Sequence, residues 1–402
     1  MVELLNKAGA ATIALAGKIN TDNAQETEAE IMKLWEQSGC AHLILDAERL
    51  DYISSAGLRF IMRLAKKDRK LEIINTGLNV YEVFSMTGFT EMLQIRKALR
   101  KLSVDGCEII GQGRIGTVYR LNGEEIIKVF RPGVAMEELE RELERSRKAF
   151  VRGIPTAISY DIVRVGDCYG LVYELLNADT LAKCVQREPE RTEEYAELFG
   201  DLLRTVHSAK VEPGELPDIK SVYAVFAERM KNYMTEEEGA VLDRMLAAMP
   251  EGTCLMHSDF HPKNVMMQNG EALLIDMGDI SIGSPLFDLG ATYNVLHHLS
   301  DEMIYQSTGI PLPLRDRFWK RFAQTYFATE DEQTLAYYEK TVYAASMLRF
   351  AVALGSADTF SDEVRSARVQ ELREKVFPNV DALIETVRAH GAEFGRIRTG
   401  SL

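Results

Sequence analysis

The sequence predicts two units: a small α/β domain, followed by an α+β domain with two lobes. Short apolar runs alternate with helical patterns over the first hundred residues. A β-rich stretch follows, and from about residue 180 onward the pattern is mostly helical. This order predicts domains at 1–100, 101–176 and 177–402, where the last two are the lobes of the second unit with a cleft between them.

The composition is that of a soluble globular protein, with 46% hydrophobic and 27% charged residues. We find no run near the roughly 18 apolar residues of a membrane helix, and no export signal at the N-terminus. The five cysteines are scattered and lack CxxC spacing. We therefore expect reduced thiols, a cytoplasmic location and no membrane partner.

The negative charge is concentrated in the second part of the chain. Residues 1–104 carry 14 Lys and Arg against 13 Asp and Glu, whereas residues 105–402 carry 33 against 48. Phosphate contacts need concentrated basic residues, so this balance argues against nucleic acid as a partner. An acidic surface is compatible with a cationic ligand, although it commonly serves only solubility.

The strands of the first unit are predicted from runs rich in Ile and Leu at 12–17, 42–47 and 71–76. A helix over 21–37 would begin at a cap formed by Asn20 or Thr21.

Two further helices complete the first unit. In the segment 54–67, Leu58, Ile61, Met62 and Ala65 recur at helical spacing, which indicates one apolar face. The segment 79–89 is predicted as a short helix that ends near Gly88.

In the second unit, the runs 107–121 and 124–130 are separated by Asn122-Gly123, a strong hairpin signal. A helix at 135–150 and strands at 160–165 and 169–175 follow. The block 254–285 then interrupts the helical pattern of the remaining chain.

Residues 111–116, GQGRIG, place Gly111, Gly113 and Gly116 in G-x-G-x-x-G spacing. We call this segment the glycine loop. It lies between two strands, whereas a dinucleotide-binding loop joins a strand to a helix. The context favours a loop that folds over nucleotide phosphates, because glycines let backbone amides approach charged oxygens.

Lys128 lies inside the apolar run IIKVF, where a buried ammonium group needs an anionic partner. An edge-strand lysine that points to water is the alternative. If Lys128 is buried, it can bind the α- and β-phosphates of a nucleotide. We predict Glu142 as its carboxylate partner, with Glu138 as the fallback, on a helix whose inward stripe would be Leu139, Leu143 and Phe150.

The segment HSDFHPKN, residues 257–264, supplies groups suited to phosphoryl transfer. Asp259 can accept a proton from an attacking hydroxyl, and Asn264 can give an oxygen to a metal ion. Asp276 follows an apolar strand and can also hold Mg²⁺. His257 and His261 are poor ligands for Mg²⁺, so we expect them to orient the loop.

Together these motifs resemble the protein-kinase-like fold, and more narrowly its aminoglycoside phosphotransferase and choline kinase branch. In that branch the loop has the sequence pattern His-Gly-Asp-x-His-x-x-Asn. In this chain Ser258 stands in place of the usual glycine. The resemblance implies ATP and Mg²⁺ as cofactors. It also implies an adenine hinge at LVYELL with Glu174 and Leu176, support of the loop by Asp288, and an acceptor site in the aromatic helical tail.

The segment Ser54-Ser55-Ala56-Gly57 lies where a strand turns into a helix. Capping of that helix by Ser54 or Ser55 is one interpretation. Phosphorylation is another, because the free amides of a helix N-terminus stabilise a phosphate. The first hundred residues resemble the STAS domain of anti-sigma factor antagonists. In that family the phosphoacceptor matches Ser55, and the acid that usually precedes it is replaced here by Ser54.

The leading hypothesis is an ATP- and Mg²⁺-dependent phosphotransferase that acts on the hydroxyl of a small molecule and is coupled to a regulatory STAS domain. That domain could bind a regulatory protein. The alternative is an anti-sigma-antagonist-type signalling protein whose kinase-like part senses nucleotide or phosphorylates the STAS serine.

Overall fold

The computed structural model describes residues 2–6, 9–113, 115–357 and 359–395. It divides the chain into two compact units, of which the first ends at Ser103 and the second begins at Val104. Among the described residues, none of the helices combines the length and apolar character needed to cross a membrane.

The first unit is a five-stranded sheet with helices packed on it. Its strands lie in chain order, the first pair antiparallel and the others parallel: Val2–Asn6, Ala10–Ile19, His42–Ile53, Glu72–Thr76 and Gln94–Lys97. A two-residue strand, Arg100–Lys101, follows. Its helices are Ala24–Ser38, Ser55–Lys67, Leu78–Met86 and Phe89–Met92.

Two helix boundaries differ from the predictions for local reasons. The first helix begins at Ala24, because the Asn20 side chain accepts hydrogen bonds from the amides of Asp22 and Asn23 and holds a turn before it. The segment predicted as one helix over 79–89 is divided, because Gly88 adopts a left-handed φ of 77°.

The second unit begins with an antiparallel sheet. Its strands, in spatial order, are Ser159–Val165, Cys168–Glu174, Glu125–Phe130, Gly116–Arg120 and Glu108–Gln112. The helix Met136–Val151 packs against this sheet. The strand that carries Lys128 therefore has a neighbour on each side, which removes the edge-strand alternative.

The rest of the second unit is helical, apart from a three-stranded and a two-stranded sheet of short strands around the HSDFHPKN segment. Those strands are Asp179–Thr180, Cys254–Met256, Val265–Gln268, Glu271–Leu274 and Ser281–Gly283. The helices are Leu181–Arg187, Thr192–Ser208, Ile219–Lys231, Glu236–Ala248, Leu286–His297, Asp301–Thr308, Leu312–Phe327, Glu332–Val352, Asp362–Lys375 and Val380–His390. Short 3-10 turns connect several of them.

Aromatic packing anchors the HSDFHPKN segment in the helical core. The Phe260 ring stacks on Phe199 at a centroid distance of 4.1 Å, and Phe199 in turn contacts Phe318 and Phe322 of the helix Leu312–Phe327. All four rings are at most 1% exposed. These tail aromatics form part of the core, and their packing anchors the loop that carries Asp259.

Candidate active site

Lys128 lies at the centre of a cluster of charged side chains. Its Nζ atom is 2.9 Å from Glu142 Oε1 and 3.1 Å from Asp276 Oδ1, and its side chain is 15% exposed. Burial disfavours the charged ammonium, but the carboxylates of Asp276 and Glu142 outweigh it and raise the pKa of Lys128. The lysine is therefore a fixed positive charge, held by carboxylates from two distant segments.

Glu142 reaches Lys128 because it belongs to the buried face of its helix. That face comprises Leu139, Glu142, Ser146 and Ala149, whereas Phe150 is 47% exposed. The predicted stripe was thus wrong at Phe150, which lies at the exposed end of the helix. The fallback partner Glu138 is exposed.

Tyr173 was missed by sequence reasoning. Its hydroxyl donates a hydrogen bond to Glu142 Oε1 at 2.9 Å. Burial, and then the neighbouring Glu142 carboxylate, raise the pKa of Tyr173 well above its usual value, so the phenol stays a donor. Its place in the buried strand run LVYE was the available signal, because a tyrosine hydroxyl that is buried needs a partner.

Asp276 occupies a strained position that projects its carboxylate outward. Its φ is 62°, in the left-handed region, and its side chain is 50% exposed. The next residues, Met277–Asp279, form a 3-10 turn fixed by Arg145, which donates to the Gly278 carbonyl. A Cβ at Gly278 would lie 3.2 Å from Glu142 Cδ. The turn therefore packs directly against the helix that carries Glu142.

Asp288 holds the start of the HSDFHPKN loop. Its two carboxylate oxygens accept hydrogen bonds from the backbone amides of His257 at 2.7 Å and Ser258 at 2.8 Å. His207 lies 3.2 Å from the same carboxylate and 2.7 Å from the Tyr326 hydroxyl. Asp288 and His207 are at most 5% exposed, so this network is a buried support for the loop.

Ser258 adopts the backbone conformation that a glycine would adopt freely. Its φ is 70°, and its Oγ lies 2.8 Å from the Oγ of Ser281. A left-handed conformation costs a residue with a Cβ about 1–2 kcal/mol. The hydroxyl contact and the bond from the Ser258 amide to Asp288 offset part of that strain.

Asp259 and Asn264 lie side by side. The Asn264 amide nitrogen donates to the Asp259 backbone carbonyl at 3.0 Å and lies 3.4 Å from its carboxylate. His261 Nε2 is 3.5 Å from Asp259 Oδ2. Burial disfavours the Asp259 carboxylate, but His261 and the charge of Arg349 outweigh it and hold the pKa of Asp259 below its usual range.

His257 bridges two backbone segments of the site. Its Nδ1 accepts from the Asp259 amide at 3.3 Å, which leaves Nε2 to donate to the Ile275 carbonyl at 3.3 Å. It thereby links the aspartate of the loop to the residue before Asp276. His261 Nδ1 is buried and has no hydrogen-bond partner within the described part of the chain.

The glycine loop closes between the strands Glu108–Gln112 and Gly116–Arg120. Gly113 N–H donates to the Gly116 carbonyl at 2.9 Å, and Gly111 pairs with Val118. A Cβ at Gly116 would lie 2.4 Å from the Val129 carbonyl oxygen, so only glycine fits there.

The two residues predicted for the hinge have different surroundings. The Glu174 carboxylate accepts the Ile158 amide at 2.8 Å, so this side chain stabilises the chain locally. Leu176 is half-buried, and its carbonyl accepts from Ala178 at 2.9 Å. The adenine contacts expected of these two residues stay a prediction.

In the first unit, Ser54 and Ser55 have distinct environments. Ser54 caps the helix Ser55–Lys67, since its side chain accepts from the Gly57 amide at 3.3 Å, and it is 8% exposed. Ser55 is the exposed first residue of that helix. Gly57 packs against the sheet so closely that a Cβ would lie 2.6 Å from Ile53 Cγ1.

Comparison with known proteins assigns both units. The model of the STAS domain matches residues 2–102, and that of the phosphotransferase enzyme family matches residues 106–336. Over 85 residues, or 20% of this chain, the sequence is 39% identical to BtrV of Bordetella bronchiseptica, which is named as an anti-sigma factor antagonist and is 72% covered.

Among solved structures, a choline/ethanolamine kinase family protein from Mesorhizobium loti is 17% identical with a TM-score of 0.46, covering 70% of this chain and 92% of that one. A streptomycin–ATP complex of the aminoglycoside phosphotransferase APH(2")-IIa is 14% identical with a TM-score of 0.47, covering 73% and 96%.

The family models confirm the predicted fold class, an α/β STAS domain followed by an α+β kinase-like domain. The phosphotransferase match spans more than half of the sequence and includes the glycine loop, Lys128, Asp259 and Asp276. This chain is therefore a member of the phosphotransferase enzyme family that also carries an N-terminal STAS domain.

Proposed function

We propose that this protein transfers the γ-phosphoryl group of ATP to the hydroxyl group of a small molecule, and that its STAS domain regulates this activity. The observation that carries the proposal is the contact of Lys128 with both Glu142 and Asp276, at 2.9 and 3.1 Å. Lys128 and Asp276, which are 148 positions apart in the sequence, thus form one charged site. Such a fixed cation suits the phosphates of a nucleotide.

Each group of the site has a role in binding the triphosphate. Lys128 binds the α- and β-phosphates, and Glu142 holds the ammonium in place with the help of Tyr173. The glycine loop, with Gly111, Gly113 and Gly116, gives backbone amides to phosphate oxygens.

The residues present fit a magnesium ion. Asp276 offers a half-exposed carboxylate, and the donation by the Asn264 nitrogen to Asp259 leaves the Asn264 oxygen as a ligand. One or two protein oxygens suffice, because Mg²⁺ keeps waters and takes phosphate oxygens as further ligands. When bound, the ion neutralises charge on the phosphates.

Asp259 is the acceptor-side base in this proposal. It stays ionised because of its neighbours, so it can accept a hydrogen bond from the acceptor hydroxyl and orient the oxygen. As the new O–P bond forms, the hydroxyl proton passes to the Asp259 carboxylate and the bond from the γ-phosphorus to ADP breaks. The products are a phosphate ester and ADP.

A screen of hydroxylated metabolites and aminoglycosides for acceptor-dependent ADP release tests this function. We expect at least one acceptor to stimulate release. We also expect Asp259→Asn to abolish the stimulation, because removal of a positioned base typically costs about 10²–10⁴-fold. The control is Asp201→Asn, an exposed acid of the helix Thr192–Ser208, which should behave as wild type. Equal stimulation in Asp259→Asn would refute the assigned base.

A second proposal concerns Ser55, which is exposed at the start of its helix. The kinase-like unit, of the same or another molecule, phosphorylates Ser55, and the helix N-terminus stabilises the added phosphate. Incubation with Mg-ATP followed by mass spectrometry should show phosphate on Ser55. The same peptide from the Ser55→Ala variant should carry no phosphate. Unmodified Ser55 in a protein that turns over ATP would contradict it.

The rival function is that of an interaction protein whose kinase-like unit only senses nucleotide. The 39% identity to a protein named as an anti-sigma factor antagonist favours a regulatory role for the first unit. Equal ATP turnover by wild type and Asp259→Asn, with retained nucleotide binding, would favour the sensor.

A further inference from the structure

Arg145 links the helix Met136–Val151 to the turn that follows Asp276. It lies three residues after Glu142, so the two side chains are neighbours on the helix surface. The half-buried Arg145 guanidinium donates a hydrogen bond from Nη1 to the carbonyl oxygen of Gly278, 133 positions along the chain. One helix therefore contacts the site through two polar side chains, and one of them reaches the backbone beside Asp276.

The backbone at Asp276 needs support from its neighbours. Its φ of 62° and ψ of 61° lie in the left-handed region, which is unfavourable for a residue with a Cβ. Before Asp276, the Ile275 amide donates to the Asn264 carbonyl at 3.0 Å. After Asp276, the turn Met277–Asp279 receives the bond from Arg145. Hydrogen bonds thus hold the chain on both sides of the strained residue.

The contact between Lys128 and Asp276 competes with binding of a nucleotide. In the proposed function Lys128 binds phosphates and Asp276 binds Mg²⁺, so both partners of this 3.1 Å contact acquire new ligands. The bond from Arg145 ends on the Gly278 carbonyl and uses neither of those groups. It therefore restrains the backbone at Asp276 in the nucleotide-bound protein as well.

A second arginine of the same helix makes the same kind of bond to a different segment. Arg147 donates to the carbonyl of Tyr160, in the strand Ser159–Val165. That bond joins the helix to the sheet, whereas the bond of Arg145 joins it to the turn after Asp276. The two arginines thus form a matched pair that differs in the segment each one holds.

We infer that Arg145 is a positioning residue, which keeps the Asp276 carboxylate where it binds Mg²⁺ beside the nucleotide phosphates. The inference rests on the proposed function and adds a residue to it. Arg145 gives no ligand itself and acts through the backbone of the turn Met277–Asp279. Partners that orient a metal ligand typically contribute about 10- to 100-fold to metal affinity.

The test separates the effect of Mg²⁺ from the binding of the nucleotide itself. The affinity of the full chain for a non-hydrolysable ATP analogue is measured by calorimetry, once with Mg²⁺ and once with EDTA. Wild type should bind the analogue more tightly with Mg²⁺. Arg145→Met should lose most of this gain, with its affinity in EDTA changed less than about threefold, because the variant removes a partner of the metal site alone.

Two further variants and a titration show whether Arg145 acts by positioning. Arg147→Met is the matched control and should keep the gain from Mg²⁺. Arg145→Lys should recover part of the gain, since its ammonium group keeps a donor without the planar guanidinium, and it carries the test if Arg145→Met does not fold. Raising the Mg²⁺ concentration should restore ATP turnover in Arg145→Met, as expected of a displaced ligand and not of a damaged core.

Three outcomes would overturn the inference. They are an unchanged gain from Mg²⁺ in Arg145→Met, an equal loss of the gain in Arg147→Met, and a parallel fall of the affinities with Mg²⁺ and with EDTA in Arg145→Met. The last would mean that Arg145 serves the fold of the whole site. Failure of the proposed function is distinct, because it would appear in wild type, as absent binding of the analogue or as no gain from Mg²⁺.

Discussion

Ser258 shows how much one backbone angle matters at this site. Ser258→Gly removes the strain of a φ of 70° but loses the contact with Ser281, whereas Ser258→Ala keeps the strain and also loses the contact. We expect the glycine variant to be the more stable of the two by about 1–2 kcal/mol. Thermal unfolding of the full chain measures this. An alanine variant as stable as the glycine variant would contradict the account.

The ionisation of Asp259 sets the expected pH dependence. A carboxyl group whose folded pKa is lowered contributes stability above its unfolded pKa, about 3.9, and loses it as the pH falls through the folded value. Asp259 should therefore stay ionised above about pH 4.5, so its protonation should not lower kcat/KM in that range.

His261→Asn removes a group that lowers the Asp259 pKa, so the acidic limb of kcat/KM should move to higher pH. The profile of ATP turnover, compared with wild type, checks this. A limb at the same pH in both proteins would show that His261 does not control the base.

At the scale of elements, the helix Met136–Val151 connects Lys128 to the turn Met277–Asp279 through Glu142. Glu142→Gln should lower kcat/KM for Mg-ATP by about tenfold or more, because Lys128 loses one of its two carboxylates. Glu138→Gln is the matched control on the exposed face and should stay near wild type. Equal losses in both variants would argue against the pairing with Glu142.

The helix Ser55–Lys67 depends on a close approach at Gly57. Gly57→Ala would force a Cβ to within 2.6 Å of Ile53 and should destabilise the STAS domain by about 1–3 kcal/mol. Gly77→Ala is the control, since its φ is −58° and nothing lies within 4 Å of an added Cβ. Hydrogen exchange of helix 55–67 reports the change, and equal protection in the two variants would contradict it.

Across the whole molecule, local signals predicted most of the fold and the elements of the site. The periodicity around residue 142 favoured Glu142 over Glu138, and the structure pairs Glu142 with Lys128. The spacing around residue 58 predicted the helix that begins at Ser55. Both signals lie within one or two turns of chain.

The features that sequence patterns did not predict depend on contacts between residues far apart in the chain. Tyr173 gains its role from a helix 31 residues away. Phe150 was placed wrongly because helical periodicity does not tell where the covering sheet ends. Such features follow from tertiary packing, which periodicity and spacing do not contain.

The central claim is that Lys128 and Asp276 bind one triphosphate while Asp259 orients the acceptor hydroxyl toward it. Single-turnover cleavage of Mg-ATP in the presence of acceptor, with nucleotide affinity measured in parallel, tests it most directly on wild type and Asp259→Asn. We predict a rate lower by about 10²–10⁴-fold with affinity changed less than about threefold, since Asp259 acts on the acceptor side. Equal rates in the two proteins would contradict the account.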